Sequence, residues 1–556
     1  MENYSLLKKI DGKIFEEIIL SGGKNLKANL KIVNDLNVFP IPDGDTGDNM
    51  YATYSGGFLG LKETKENSVC KKADALSSGM LMSARGNSGV ILSQLFAGVA
   101  EGAKDKEEIT VKEFATALQQ GVVKAYSSVS EPVEGTVLTV ARESVDYAYS
   151  KITEETTLGE FFEYYILEMR ASLDRTPELL PTLKEAGVID SGGAGLLYIA
   201  EGMKMAVLGE EISLSEEIAV TSSNIDLSKF NENSVMKFGY CTELLLQLQT
   251  VKTDVMNFPL EELKSYMQSI GDSVVTFQTG TVVKINVHTM TPYKVLEYCQ
   301  KFGEFLTVKI ENMTLQHNGL ESDDPVKKER KKERPRTKFA VVTVSSGKGW
   351  EETLLEMGAS LVIDGGQCKN PSIERFIEAF DEVNADNIFV LPNNSNIIMT
   401  ASEAGKAYKK SLVKVIPTKS VGDAYACLSA LDYSSENVEE IASQMIDDMQ
   451  GVTTGMVTKA VRDAKLGGVK IKEGQYIGYT NKTMLTSKDE SIVALFDLLA
   501  KMDTLNKNFL IIAYGESVTD SQKREVERLA GDIYKGLEIY PIDGGQEVYD
   551  FIVIVE

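Results

Sequence analysis

The chain has little cysteine, little histidine, no long apolar run and a deficit of basic charge. Its five cysteines, Cys70, Cys241, Cys299, Cys368 and Cys427, are odd in number and scattered over 556 residues. That excludes a disulfide framework and fits a reducing compartment. No stretch of about 18 apolar residues occurs and no basic-then-apolar leader opens the chain, so the expectation is a cytoplasmic protein without a membrane span. Lys and Arg number 58 against 82 Asp and Glu, a net charge of -24. Nucleic acid is a poor match for such a chain, because phosphate binding needs a basic face. The two histidines, His288 and His317, lie in the middle section. Neither the amino-terminal nor the carboxyl-terminal domain can therefore supply a histidine for chemistry.

What is present is an ordinary globular composition, 43% hydrophobic and 25% charged, over a length that suggests three or four domains. Residues 1–210 read as helical. "IDGKIFEEIIL" sets Ile10, Ile14 and Ile18 four apart, and similar spacing recurs in "GVILSQLFAGVAEG" and "LGEFFEYYILEMRASL". Residues 228–320 change rhythm to strand, helix, two strands, helix and strand, which is the ferredoxin-like α+β order. Residues 321–338 include "DDPVKKERKKERPRTK", read as an exposed basic linker, with nucleic acid or an anionic lipid as the alternatives. Residues 339–556 alternate short apolar strands with helical stretches, the α/β pattern of a mainly parallel sheet. "IDGGQ" occurs there twice, at 363–367 and 542–546, as if marking two related halves.

The stretch "FPIPDGDTGDNM", residues 39–50, crowds Asp43, Asp45 and Asp48 together. Carboxylates at that range raise one another's pKa unless a cation neutralises them. Hard oxygens in a glycine-relieved turn suit Mg²⁺. The alternative is an acidic turn that caps the next helix, with Asp45 or Thr46 as N-cap and no ion bound. Three further turns of small residues lie in the same helical section: "SARGNSGV" (83–90), "EGTVLT" (134–139) and "IDSGGAG" (189–195). Free N–H groups at helix starts favour anions. Together the four turns read as a nucleotide cradle, with Thr46, Gly47, Asn49, Asn87, Ser88, Gly89, Gly135, Thr136, Asp190 and Gly192 as candidate contacts.

"NVFPIPDGDTGDNM", "ARGNSGVILSQ", "EGTVLTVAR" and "LKEAGVIDSGGAGL" resemble the ATP-binding domain of the dihydroxyacetone kinase L-subunit family, in the form found in the large subunit of bacterial fatty acid kinase. "GYCTELLL", "NVHT", "IENMTLQH", "GGQCKNPS", "LPNNSNI" and "DGGQ" match the rest of that large subunit in order. The resemblance implies an α-helical barrel that holds MgATP at one end. It places Mg²⁺ on Asp43 and Asp45, with Asn37 as a third ligand. Asp48 stands where the family usually has Thr, so it is either an extra ligand or a solvated charge. The implied chemistry is phosphoryl transfer from ATP to the carboxylate of a fatty acid presented by a separate fatty-acid-binding carrier protein, giving acyl phosphate and ADP. Arg85 would neutralise charge on the transferring phosphoryl group; its alternative is a helix-surface ion pair.

The family's middle domain implies a zinc cluster, onto which Cys241, His288 and His317 match, but Asn286 replaces the first imidazole of its "HxH" pair. The strand order read from the sequence puts His288 at the far end from Cys241, a gap that a homodimer could close. The carboxyl-terminal domain is read as the carrier-docking surface, since every metal and phosphate motif lies before residue 200. Two other functions stay open at this point. One is an ATP-binding adaptor or regulator, and the other a glycerone-type kinase that needs a separate substrate subunit.

Overall fold

The computed structural model describes residues 2–37, 44–129, 131–210, 240–255, 258–279, 281–312, 335–367, 369–480, 483–502, 504 and 507–556. Asp43, His317 and Cys368 lie outside this set, as do residues 211–239 and most of the basic stretch. The chain divides into two compact units, Met1–Ser215 with Glu333–Glu556, and Glu216–Lys332.

The amino-terminal region is helical: α1 (Gly12–Ala28), α2 (Leu30–Leu36), α3 (Thr46–Gly56), α4 (Phe58–Glu63), α5 (Val69–Ser83), α6 (Gly86–Gly102), α7 (Val111–Ser128), α8 (Val137–Lys151), α9 (Leu158–Leu179), α10 (Pro181–Ala186) and α11 (Ser191–Leu208). Two-residue strands β1 (Lys9–Ile10) and β2 (Ile109–Thr110) pair antiparallel. Helix α1 keeps the fourfold spacing seen in the sequence, and Ile14, Phe15, Ile18 and Ile19 are all buried. It packs on α11, while α6 packs on α7 and α8 on α9. Phe96, Phe114, Val145, Phe162 and Met203 line a small apolar cavity of about 30 Å³. Capping boxes start α7 at Thr110 and α9 at Thr157. Such caps fix where a helix begins by satisfying its first N–H groups.

In the second unit, β3 (Tyr240–Leu248), α12 (Leu260–Ile270), β4 (Asp272–Thr279), β5 (Val282–Thr289), α13 (Pro292–Cys299) and β6 (Gly303–Asn312) follow the β-α-β-β-α-β order. Their antiparallel sheet runs β4-β5-β3-β6. Leu244, Leu246, Val283, Ile285 and Val287 form its buried face against Leu263, Met267 and Val295 of the helices.

The carboxyl-terminal region carries two main sheets where the sequence suggested one mainly parallel sheet. In the first, β7 (Thr337–Ser345), β8 (Leu361–Asp364), β9 (Ala385–Leu391) and β10 (Leu412–Val415) lie parallel in the order β10-β9-β7-β8. The Val, Ile and Leu runs of its central strands are buried, as strands covered on both faces require. A short hairpin, β12 (Ala464–Leu466) with β13 (Val469–Ile471), forms a separate two-stranded sheet whose Leu466 and Ile471 share a core with Ile477 and Met484. The second sheet combines β11 (Thr453–Lys459), β14 (Tyr476–Thr480), β15 (Thr483–Lys488), β16 (Phe509–Tyr514), β17 (Glu538–Ile542) and β18 (Phe551–Val555), ordered β15-β14-β11-β18-β16-β17. Only β16 and β17 run parallel there. The others pair antiparallel, since short links join β14 to β15 and the last strand returns between β11 and β16. The two "IDGGQ" stretches therefore follow strands in sheets of different topology.

Candidate functional site at the acidic turn

Helix α3 opens the site. Asp45 holds its N-cap position, yet the Asp45 side chain makes no capping bond. Asn34 does that instead: its Oδ1 accepts from the N–H of Gly47 at 2.7 Å and of Asp48 at 3.3 Å. A Cβ on Gly47 would stand 2.8 Å from that oxygen, so only glycine admits this approach of α2 to α3. The capping alternative thus fails to account for Asp45, whose carboxylate is left for something else.

That carboxylate is 6% exposed and ringed by amides. Asn37 Nδ2 lies 3.4 Å from its Oδ1, and Asn370 Nδ2, from the carboxyl-terminal region, donates to its Oδ2 at 2.5 Å. The Asn49 side chain adds a further bond. Burial pushes the Asp45 carboxyl up to about 6, and the Asp48 charge adds to the rise; the Asn49 and Asn370 bonds oppose it. Among the described residues these donors are all neutral; a buried anion so placed is costly, and a cation relieves the cost. Asp48 is exposed, and Asn34 Nδ2 donates to it at 2.7 Å. We expect Asp48→Thr to retain most turnover, measured as ADP release; a loss of about tenfold or more would make Asp48 a working ligand.

The other turns meet this one. Helix α6 starts at Gly86, with φ +58°, where a Cβ would sit 2.9 Å from Asn49 Nδ2. The N-cap residue Arg85 makes no side-chain capping bond, and its own N–H donates to Thr53 Oγ1 of α3 at 3.3 Å, so α6 begins beside the acidic turn with its first N–H groups not satisfied by that cap. Asn87 Nδ2 approaches Asn396 Oδ1 at 3.4 Å, and Ser88 is half-buried beside it. Gly89 serves packing, since a Cβ there would be 2.3 Å from Thr53 Oγ1 of α3. Arg85 is exposed at the N-cap of α6. Thr46 is buried, and Ser191 Oγ donates to its Oγ1 at 3.4 Å, joining the starts of α3 and α11.

Asp190 is the N-cap of α11, where its Oδ2 accepts from the Gly193 N–H at 2.7 Å. It also accepts from the Val137 N–H at the start of α8, and burial pushes its carboxyl up to about 6 against these bonds. A Cβ on Gly192 would lie 3.1 Å from Val137 Cβ. Gly135, at φ +83°, donates its N–H to Thr139 Oγ1 at 2.8 Å. Thr136 uses its hydroxyl within its own turn, donating to the Val133 carbonyl at 2.8 Å and accepting from the Leu138 N–H. All four turns are therefore linked through Asn49–Gly86, Thr46–Ser191 and Asp190–Val137. Asp45, Asn49 and the start of α6 form the polar centre, while Gly89, Thr136 and Asp190 hold the helices in place around it.

Family models match the chain in three successive blocks: the DAK2 domain over residues 40–205, the FakA-like middle domain of fatty acid kinase over 237–320, and the FakA-like C-terminal domain over 340–556. Protein YloV of Bacillus subtilis (strain 168) is 37% identical over 557 residues, covering 99% of this chain and 100% of that protein. The chain belongs to the FakA-like fatty acid kinase family. An uncharacterized protein of Staphylococcus haemolyticus (strain JCSC1435) is 36% identical, again over 99% of this chain and 100% of its own length. The solved structure of DegV, a fatty acid binding protein from Bacillus subtilis, resembles 39% of this chain over 99% of its own, at 13% identity and a TM-score of 0.30, too low to carry a conclusion. In this FakA-like chain, the DAK2 block holds all four turns and the C-terminal block contributes Asn370.

The motifs themselves all lie before residue 200, and that contribution adds to them a side chain from the carboxyl-terminal region. The turn bearing Asn370 is fixed by contacts between the regions: the Ile373 N–H donates to the Ala84 carbonyl at 3.3 Å. Ala84 and Val90 share a core with Val342, Ile363 and Phe376. In the sequence Asn370 stands out only within the family-like stretch "GGQCKNPS", because 325 residues separate it from its partner. Asn34 carries no local signal, because it lies within α2, 13 residues before the Gly47 whose N–H it accepts.

Farther along, a cavity of about 60 Å³ lies where the two "IDGGQ" turns face each other, lined by Ser346, Trp350, Gly366, Asn393 and Gln546 among others. In the middle unit, the register sets Cys241 directly opposite His288. This corrects the reading that put them at opposite ends, because in an antiparallel pair the end of β5 adjoins the start of β3. His317 lies outside the described residues. Asn286 stands opposite Glu243 in the same register. Among the described residues no group of three or more His, Cys, Asp or Glu is placed to hold a metal, and no helix is long and apolar enough to cross a membrane.

Proposed function

We propose that this chain is the ATP-binding component of a fatty acid kinase, transferring the terminal phosphoryl group of ATP to a fatty acid carboxylate held by a separate carrier protein. The observation that carries the reading is Asp45: a buried carboxylate released from capping, set among amides at the uncapped start of α6. Hard oxygen donors fit Mg²⁺, which supplies neutralisation of phosphate charge when bound. Asp45, Asn37 and Asp43 would hold it. The α6 N–H groups, with Thr46, Asn49, Asn87 and Ser88, bind and orient the phosphates, while Gly47 keeps Asn34 close at the start of α3. Arg85, exposed at the same helix start, faces developing charge on the transferred group. Such chemistry asks for positioning and charge stabilisation rather than a covalent nucleophile, which suits a region without histidine.

The carrier enters because the family is described as one component of a fatty acid kinase, and one component implies a companion. The helix order supports a barrel for the first region, and the β-α-β-β-α-β order with sheet β4-β5-β3-β6 supports a ferredoxin-like middle domain. Asn286 is a poor zinc ligand, and among the described residues Cys241 and His288 are the matched positions that lie opposite each other. The test is ADP release from labelled ATP with and without a fatty-acid-loaded carrier. A kinase turns over only with the loaded carrier, whereas an adaptor binds ATP and releases no ADP in either arm.

A further inference from the structure

We propose that Asn370 of the carboxyl-terminal region is a working member of the MgATP site, so that nucleotide binding and the docking of that region on the helices reinforce each other. This rests on the reading of Asp45 as a Mg²⁺ ligand. Asn370 is 4% exposed, and its Nδ2 donates to Asp45 Oδ2 at 2.5 Å. Its Oδ1 is buried and meets no hydrogen-bond partner among the described residues. A side chain that served packing alone would have both ends satisfied, because buried polar atoms are almost always paired. An orphan acceptor beside a buried carboxylate points to a missing donor or cation.

The amide suits two states. With no cation bound, its N–H groups offset the Asp45 charge. With a cation on Asp45, half a turn of the amide presents Oδ1 to the ion or to a water on it, since the two ends of an Asn amide are donor and acceptor of the same shape. Room for this exists because Gly86 lacks a side chain: a Cβ there would stand 3.4 Å from Asn370 Nδ2 and 2.9 Å from Asn49 Nδ2. Asn370 stands just before Ile373, whose N–H is tied to Ala84. A ligand that grips Asn370 therefore also holds the carboxyl-terminal region on α5 and α6. By linkage, whatever favours that docking tightens the nucleotide by the same factor.

The experiment is calorimetric titration of the full-length protein with a non-hydrolysable ATP analogue at several Mg²⁺ concentrations, with thermal melting of each ligand-free variant. Asn370→Ala should weaken the analogue about tenfold or more, the scale of a lost hydrogen bond to a charged group. Asn370→Asp should bind poorly at low Mg²⁺ and recover as Mg²⁺ rises, more steeply than the wild type. A folded Asn370→Ala protein with wild-type affinity overturns the proposal. If the alanine variant does not fold, Asn370→Asp decides, and a wild-type Mg²⁺ dependence in it overturns the proposal equally. Wild-type protein that fails to bind the analogue at any Mg²⁺ concentration would instead remove the parent reading, and this inference with it.

Discussion

Asp45→Ala is expected to lower carrier-dependent ADP release by about two to three orders of magnitude, the range seen when one preorganised group is removed from a charge-stabilising site. The melting temperature of the cation-free protein should stay level or rise. The two expectations come from the same fact. Asp45 is buried among neutral amides and raised to about 6, so without a cation its charge costs the fold something. Removing it ends that cost along with the metal ligand. A residue that mattered only for folding would show the reverse pair, a lower melting temperature with activity falling in proportion. Asp45→Asn separates charge from shape: it keeps a polar group for Asn37, Asn49 and Asn370 to face, yet should be as inactive as the alanine variant. Near-wild-type turnover in either variant would sink the metal assignment.

Mg²⁺ affinity should rise with pH up to about 6 and then level off. The ordinary Asp value of 3.8 is raised to about 6 in the folded chain. Between those values the folded protein holds a proton that the unfolded chain has released, so cation-free stability falls as pH increases through this window. Cation binding runs the other way, because the ion needs the carboxylate that the proton occupies. Below the plateau each pH unit should cost about tenfold in affinity. Asp190, also raised to about 6 by burial, titrates in the same window but is bound to the N–H groups of Gly193 and Val137. The two are told apart by Asp45→Asn, which should abolish the pH dependence of Mg²⁺ binding and leave the Asp190 contribution to stability in place. Titrations from about pH 5 to 8, read by Mg²⁺-dependent melting, check this; an affinity flat down to about pH 5 would contradict it.

Much of this site was legible in the sequence because its parts are local. An acidic glycine turn, an "ARGNSG" helix start and an Asp-Ser-Gly-Gly turn each announce themselves within a few residues, and the helical reading of residues 1–210 made them turns between helices. Three things were not legible. Whether Asp45 caps α3 or faces a ligand depends on Asn34, a residue of another helix that does the capping. The contribution of Asn370 depends on the docking of two regions, and no local pattern encodes that. The antiparallel second sheet was missed because β11 and β15 read weakly by alternation, and their pairing is set by the return of β18 between β11 and β16. The Cys241–His288 neighbourhood was within reach of the sequence, since an antiparallel pairing of their strands already places one strand's end beside the other's start.

The central claim is that this chain makes an acyl phosphate from ATP. The most direct measurement is hydroxylamine trapping of that product, with labelled ATP, the full-length protein and a fatty-acid-loaded carrier. The account predicts acyl hydroxamate in step with ADP, dependent on Mg²⁺ and on the loaded carrier, and absent with Asp45→Ala. ADP released without acyl hydroxamate, or hydroxamate formed equally by Asp45→Ala, would contradict it.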